Sequence, residues 1–361
     1  MTLQRSALHP IATAAGGHFQ ERFGWDLPRV YADPALEYRA ATEAVAVHDA
    51  SYVGRLKATG RDVLDLLNRI STNRVLSLQP GQGAPTILTT DRGRILDLIA
   101  VINTGDYILL ITSPGNQQRI IDWLDKYTIM EDVTVQDVTS SDTMLAVLGP
   151  GSQTALKALS GVALDGLPPS HTVVAPIGGQ EVRLIRRHLG VLPSFDLLVP
   201  PDGAPGVWQA LMESGATPMG VEALDAVRVR YAVPSYGREL GEAFNPLEAG
   251  LIGSIDFAKG CYIGQEVIAR LDTYHKVQRY LVTLRLPSDT QVAEGVTLRQ
   301  GERSVGAITS VARIPTTGQV IGLGYVRAEA AALGARLDLE EIPGGWAEVE
   351  GLPQMFGPGN G

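Results

Sequence analysis

Apolar and polar positions along this chain fall into short runs that mark short elements. Residues 95–112 read ILDLIAVINTGDYILLIT. Two β-rich apolar runs flank Thr104-Gly105-Asp106, which predicts a hairpin. Ile120, Ile121, Leu124 and Tyr127 then sit at helical spacing, with Ser113 or Asn116 placed to cap the helix. One pattern recurs. Residues 56–60 lead into 61–67, and residues 145–149 lead into 150–156. Each unit is a short strand, a glycine turn, a capping Asp62 or Ser152 and an amphipathic helix. Glycine lets the chain reverse, and the capping oxygen takes an unpaired amide at the helix start. The two units predict two similar α+β subdomains, over about residues 40–135 and 136–250 and open to interleaving. Chance recurrence of a common motif is the alternative.

The tail has a different rhythm. Residues 280–286, 305–314, 320–326, 337–339 and 347–349 are β-type runs separated by turns such as Glu294-Gly295, Thr317-Gly318 and Pro343-Gly344-Gly345. Strands at this spacing without intervening helices predict a small C-terminal barrel, over residues 276–355. The Ala-rich residues 329–333 read as a single helical turn, the boundary falls near 274–278, and residues 357–361 as a frayed end. The fold class expected is therefore α+β, a region over residues 1–275 followed by the barrel.

Composition narrows the function classes. The 361 residues are 45% apolar, enough to bury real cores, so whole-chain disorder is excluded. The formal charge of −9 argues against nucleic acid as a direct partner. The apolar stretch at residues 11–15 is too short for a signal-peptide core, and no run of 18 apolar residues occurs, so a soluble, cytoplasmic protein with no membrane contact is expected. The single cysteine, Cys261, can form no intrachain disulfide, which fits a reducing compartment. It also cannot make a four-cysteine metal or cluster site within one chain. His188 and His275 lack partners at ligand spacing, and no metal site is expected. The chain has no phosphate-binding P-loop. Gly322 and Gly324 lie in a barrel run rather than before a helix, so they do not mark a dinucleotide site.

The densest chemistry is Lys259-Gly260-Cys261-Tyr262-Ile263-Gly264-Gln265-Glu266, followed closely by Arg270. Gly260 and Gly264 allow sharp turns and close approach. Residues 265–269 read as a helix start. A thiol beside Lys259 at a helix N-terminus has the setting of a reactive thiolate; a buried, inert cysteine in a glycine-rich turn is the alternative.

The run K-G-C-Y-x-G-Q-E resembles the signature of the YgfZ family of folate-binding proteins, which act in iron–sulfur cluster maturation and are related to the T-protein (aminomethyltransferase) of the glycine cleavage system. The resemblance extends through nearly the whole chain. Gly24-Trp25, Tyr31, Glu37 and Val47-His48-Asp49-Ala50-Ser51 are similar to the T-protein opening segment. Gly220 to Arg228 resembles its Gly-…-Asp-x-x-Arg helix. Tyr236-Gly237-Arg238-Glu239 and Asn245-Pro246-Leu247-Glu248-Ala249-Gly250-Leu251 resemble its Tyr-Gly-x-Glu and Pro-Leu-Glu-Ala-Gly runs. Val305 to Ser310 and Ile321 to Val326 resemble its C-terminal barrel.

The resemblance implies two α+β subdomains and a barrel around a central cleft that takes tetrahydrofolate or a derivative. It implies a role in assembly or repair of iron–sulfur clusters, with assembly factors or client proteins as partners. A folate-dependent aminomethyltransferase or demethylase, or a non-enzymatic folate-binding scaffold, are the other readings. Cys261 and Asp97 become the candidate catalytic groups. Lys259, Gly260, Tyr262, Gly264, Gln265, Glu266, Arg270, Arg228 and Tyr236 become the candidate folate-binding residues.

Two departures from the T-protein pattern stand out. T-proteins carry a Gly-Gly-Ile-x-Asp-Asp stretch, of which one carboxylate helps the folate nitrogen attack the aminomethyl carbon. Here the run is Gly93-Arg94-Ile95-Leu96-Asp97-Leu98, with Asp97 alone. Adjacent strand residues face opposite ways, so either Asp97 or Leu98 faces the cleft. The T-protein stretch Gly-Tyr-Thr-Gly-Glu-Asp-Gly-Phe-Glu is matched around residues 190–196; Phe195-Asp196 resembles its end, and Leu192 stands where a pterin-binding Glu is expected. Other candidates have bland readings too. Arg228 either holds an anion or pairs with Asp225 at i,i+3, Asp49 either meets a ligand or turns the chain, and Glu248 is read as structural.

Overall fold

The computed structural model describes residues 2–289 and 291–351, without the side chains of His188 and Leu189. The expected barrel end at 352–355 and the frayed end at 357–361 lie outside the described residues. The chain opens with α1 (His9–Ala14), a ribbon of β1 (His18–Arg22) and β2 (Trp25–Val30), and α2 (Pro34–Glu43). Asp33 caps α2 by accepting from the Ala35 amide, and Pro34 sits at the first turn, where its missing N–H costs nothing. Buried Glu37 accepts from the amides of Tyr31, Ala32 and Gly220, pinning α2 to the chain before it and to a distant helix start. Then comes β3 (Ala46–Asp49).

The first unit runs β4 (Gly54–Thr59), α3 (Val63–Ile70), β5 (Gly83–Thr89), β6 (Ile95–Asn103), β7 (Ile108–Thr112), α4 (Gln117–Tyr127) and β8 (Thr134–Asp137). The second runs β9 (Thr143–Leu148), α5 (Ser152–Ser160), β10 (Thr172–Ile177), β11 (Gln180–Leu189), β12 (Leu192–Val199), α6 (Ala204–Glu213) and β13 (Thr217–Pro218). Their sheets have the orders β5-β6-β7-β4-β8 and β10-β11-β12-β9-β3-β13. In both, an opening strand and helix lead to a three-stranded meander whose last strand returns beside the first. The repeat read from the sequence is therefore a repeat of topology. β3 joins the second sheet from ahead of the first unit, so the units interleave.

The turn after each opening strand shows why glycine is needed there. Gly60 and Gly149 hold φ of +116° and +115°, and a Cβ would meet Asp132 O at 1.9 Å and Ala44 O at 2.5 Å. The expected caps are not made. The Asp62 carboxylate accepts from the Asp132 amide, and Ser152 lies inside α5 with its hydroxyl on Pro193 O. Both helices start from turn-like backbone, with Asp62 at φ −100°, ψ 4° and Gly151 at φ −85°, ψ −8°, so the side chain does not fold back over the first amides.

α3 and α4 cover one face of the first sheet through Leu66, Leu67, Ile120 and Leu124 against Leu56, Ile99, Val101 and Leu110. α5 and α6 cover one face of the second through Leu156, Val207 and Leu211 against Val147, Phe195 and Leu197. The two remaining faces meet each other through Ala100, Ile102, Leu109, Ile111, Met144, Ile185 and Leu198.

After α7 (Val221–Arg230) the chain crosses the body in loops to α8 (Gln265–Thr273). It closes in a barrel of β14 (Arg279–Leu286), β15 (Thr297–Gln300), β16 (Arg303–Arg313), β17 (Val320–Arg327), β18 (Arg336–Leu339) and β19 (Trp346–Gly351), in the order β14-β17-β16-β15-β18-β19. β15 escapes the sequence reading because its four residues bury only Leu298. The Ala-rich turn is 3-10, at Ala328–Ala330. The outer wall of the barrel, with Leu281, Ile321, Leu323 and Tyr325, packs against α2, α7 and the crossing loops in one shared core. Among the described residues no helix is long and apolar enough to cross a membrane.

Gly60→Ala should lower stability by about 3 kcal/mol or more, because the methyl meets backbone and the φ is strained. Gly105→Ala, at φ +99° with its nearest neighbour 3.7 Å away, should cost about 1 kcal/mol. Urea titrations followed by circular dichroism compare them; equal costs would contradict the close-approach argument.

Candidate functional site

The two facing sheets do not stay closed along their length. On β12, Leu198, Asp196, Ser194 and Leu192 share one face by alternation. Leu198 belongs to the dry contact between the sheets, and Leu192 to the core shared with α7 and the barrel. Asp196 lies where one gives way to the other. Ala146 on β9 and Leu98 on β6 occupy the same transition and keep part of their surface open to solvent, although each sits mid-strand. Tyr231, Tyr236 and Leu224 are half-buried on the α7 side. Small and partly exposed residues in the middle of paired strands mark a cleft running between the sheets.

The chemistry in this cleft belongs to Asp196. Its side chain is 6% exposed, and its Oδ2 makes no hydrogen bond. The Arg187 guanidinium on β11 stands beside it, Nε 3.0 Å from Oδ2, with about a third of the side chain exposed. Burial pushes the Asp196 carboxyl above the usual range, against the opposing pull of Arg187 and Arg55. A hydroxyl, Ser194 Oγ, is also buried without a partner on the same face. The Phe195-Asp196 match to the T-protein stretch is the sequence signal for Asp196.

Asp97 corrects an expectation. Along β6, Asp97 alternates in phase with Ile99 and Val101, whose side chains face the helices. Leu98 faces the cleft, and Asp97 turns to the other side, fully buried at the start of α4. There its carboxylate accepts from the Ser113 hydroxyl (2.6 Å), the Ser113 amide (3.0 Å) and the Asn116 side-chain amide (3.0 Å). Asp97 thus organises the turn before a helix and is not a cleft group.

Arg228 is likewise engaged. Buried on α7, it donates to Asp225 (2.9 Å), Glu239 (3.4 Å) and the Ser310 hydroxyl (2.8 Å). Arg22 reaches the same Asp225 with two bonds, at 2.8 and 3.0 Å. The anion-holding alternative for Arg228 gives way to the pairing one, since its donors are spent inside the fold. The Tyr236 hydroxyl takes a hydrogen bond from Arg119 on α4, while its ring packs on the shared core. Asp49 accepts from Ser6 and Ser51, and Glu248 pairs with Arg279; both are structural.

The cysteine signature proves to be mainly a docking device. The Lys259 ammonium donates to the carbonyls of Asn68, Ser71 and Asn73 at 2.6, 2.6 and 2.8 Å, closing the C-terminal end of α3. Burial pulls its pKa down to about 8. Its charge is therefore committed to α3, which corrects the expected pairing of Lys259 with the thiol. Tyr262 is buried with its ring 5.2 Å from that ammonium. Gly264, at φ +82°, presses α8 onto the β5–β6 turn, where a Cβ would meet Thr90 O at 2.5 Å. Gly260 has open space around it. Cys261, Glu266 and Arg270 are exposed, and Gln265 is half-buried. Lys259 and Gly264 lie on the α3–α8 side, whereas Tyr262 belongs to the same core as Leu192, against which Leu98, Tyr231 and Tyr236 pack.

Comparison with known proteins gives a consistent picture. Residues 8–259 match the GCVT N-terminal domain, and residues 279–356 the glycine cleavage T-protein C-terminal barrel domain. The chain is 34% identical over 328 residues to a chloroplastic protein of Arabidopsis thaliana named a putative transferase, covering 90% of this chain and 75% of that one. It is 28% identical to an aminomethyltransferase of Thermosynechococcus vestitus, covering 98% and 95%. The glycine cleavage system aminomethyltransferase T of Bartonella henselae has the same fold, with a TM-score of 0.86 at 20% identity over 98% of each chain.

Burial raises the Asp97 carboxyl from its ordinary 3.8 to about 6. The fold therefore prefers the protonated group, and this residue's contribution to stability falls as pH rises from about 4 to about 6 and is flat above that. Asp97→Asn keeps an acceptor for Ser113 and Asn116 and removes the titration. Wild-type stability minus that of Asp97→Asn should fall by roughly 3 kcal/mol across this window. Urea denaturation at several pH values checks this; a difference that grows with pH would contradict it.

Proposed function

The chain belongs to the glycine cleavage T-protein family, and on that premise we propose that it is a tetrahydrofolate-binding transferase of the T-protein type, with the folate in the cleft between the two sheets. The observation that carries the reading is the buried Asp196 carboxylate, whose Oδ2 lacks a hydrogen bond on a face that also carries Arg187, Ser194 and Ala146, with half-buried Leu98 and tyrosines near by. A flat ring with N–H donors on one edge and apolar faces fits an unused acceptor with apolar surface beside it. Asp196 would accept from the amino-pyrimidine edge of the pterin, and Tyr231 and Tyr236 would cover apolar surface. When bound, the folate supplies the nitrogens that carry a one-carbon group. This chain's residues bind and orient it and keep water from its head.

A second reading has its own support. The resemblance puts a carboxylate beside Asp97 in T-proteins, and here the cleft-facing residue at that place is Leu98. With no carboxylate there to help the folate nitrogen, aminomethyl transfer would lack its usual assistance. Folate binding would then serve another end, in iron–sulfur cluster assembly or repair, with the exposed Cys261 available to a partner protein. Any cluster held at Cys261 would be cargo completed by ligands from outside this chain.

Calorimetric titration with 5-formyltetrahydrofolate tests the shared core of both readings. Wild type should bind, and Asp196→Ala should weaken binding about 10-fold to 100-fold, the value of hydrogen bonds to a charged acceptor. Unchanged affinity in Asp196→Ala would contradict the placement. Methylene-tetrahydrofolate formation from an aminomethyl donor then separates the two. Turnover supports the transferase. Binding without turnover, with loss of four-iron enzyme activity in a deletion strain that Cys261→Ala fails to restore, supports the cluster role.

A further inference from the structure

We propose that Arg187 is a positioning residue that holds Asp196 ionised and leaves its Oδ2 open to the N–H donors of the bound ligand. The inference rests on the reading that the cleft takes a reduced folate. Arg187 pairs in register with Ser194, so it stands diagonally beside Asp196 on the cleft face. Its Nε is 3.0 Å from Oδ2, yet the N–H does not line up with the oxygen, which makes no hydrogen bond. The contact is thus one of charge, and the acceptor position stays unused. An ion pair with the geometry of a strong hydrogen bond would instead consume that position.

The other charged and titratable groups facing Asp196 do not do this work. Arg55, on β4 of the opposite sheet, is fully buried; its two terminal nitrogens donate to the carbonyls of Ser51, Val53, Thr139 and Asp142, and its Nε has no hydrogen-bond partner. His48, two strands away on the same face, has Nδ1 on Met219 O and Nε2 facing the Tyr52 hydroxyl, and burial lowers its pKa toward the neutral ring. Tyr52 is buried, and its pKa is pushed up to about 12. Among the described residues, Arg187 is therefore the cation in contact with Asp196. Without it, burial acts on the carboxyl with less opposition and favours the protonated form, which loses acceptor strength toward two adjacent N–H donors.

The full chain and its Arg187→Gln, Arg187→Lys and Asp196→Asn variants provide the test. Calorimetry with 5-formyltetrahydrofolate from pH 6.5 to 9 reads binding. Carbon-13 NMR of labelled aspartate, assigned with Asp196→Asn, reads the carboxyl directly in the ligand-free protein. Arg187→Gln should bind about tenfold or more weakly at pH 6.5, with the gap closing toward pH 9. Its Asp196 titration should move up by about one pH unit or more, and Arg187→Lys should restore both. Tighter binding by Arg187→Gln would mean that Arg187 blocks the site. A loss independent of pH, or an unmoved Asp196 titration, would also overturn the proposal. If wild type itself does not bind while the NMR titration moves as expected, the folate reading fails and the charge relation between Arg187 and Asp196 stands. Circular dichroism confirms that the variants fold, and the partly exposed Arg187 side chain makes this the expected result.

Discussion

The arrangement depends on one buried carboxylate, Glu239, and the cation facing it. Glu239 is fully buried and accepts from the Thr309 and Ser310 hydroxyls of the barrel and from the Ser235 amide, with Arg228 of α7 at 3.4 Å. Arg228 is in turn held by Asp225, and Asp225 by Arg22 of the N-terminal ribbon. Tyr325 of the barrel donates to the Glu239 carbonyl. Four regions remote in sequence are tied through one charge chain. Removing one partner of such a buried pair leaves an uncompensated charge, typically at a cost of about 3–5 kcal/mol. The charge chain crosses the apolar core between barrel and body and, with it, holds α7 against the barrel on one side of the cleft.

Within that frame, strand phase decides the chemistry. Along β6, alternation puts Asp97 on the helix side with Ile99 and Val101, and Leu98 on the cleft side. The same alternation on β12 puts Phe195 into the helix-covered core and Asp196 between the sheets. One carboxylate is satisfied by three donors and organises a turn. The other is left with an unused oxygen beside an arginine. Two aspartates on matching sheets thus take opposite parts: the number of donors around each separates scaffold from site.

Much of the fold is legible in the sequence because it rests on local signals. The 95–112 hairpin, the helix after Asn116 and the barrel strands follow from periodicity and turn residues. The duplication shows as a recurring strand, glycine and helix. What escapes is what depends on distant chain. Asp62 and Ser152 look like caps but find partners elsewhere. Lys259 looks like a neighbour for Cys261 but reaches the carbonyls ending α3, which sequence spacing does not reveal. The Asp225 partner of Arg228 shows in the i,i+3 spacing, but Glu239 and Ser310 come from other elements and do not. Alternation puts Asp97 and Leu98 on opposite faces, but which face the helices cover depends on α3 and α4 from elsewhere in the chain. The family resemblance supplied the cleft and the folate; the geometry moved the weight of the site from Asp97 and the cysteine signature to Asp196.

The most direct measurement is a crystal structure of the protein saturated with 5-formyltetrahydrofolate. The account expects the pterin between Leu98 and Ala146, with ring N–H groups within hydrogen-bond distance of the Asp196 carboxylate and Asp97 still bound to Ser113 and Asn116. Pterin bound against Cys261 and α8, or pterin in the cleft with Asp196 left uncontacted, would contradict it.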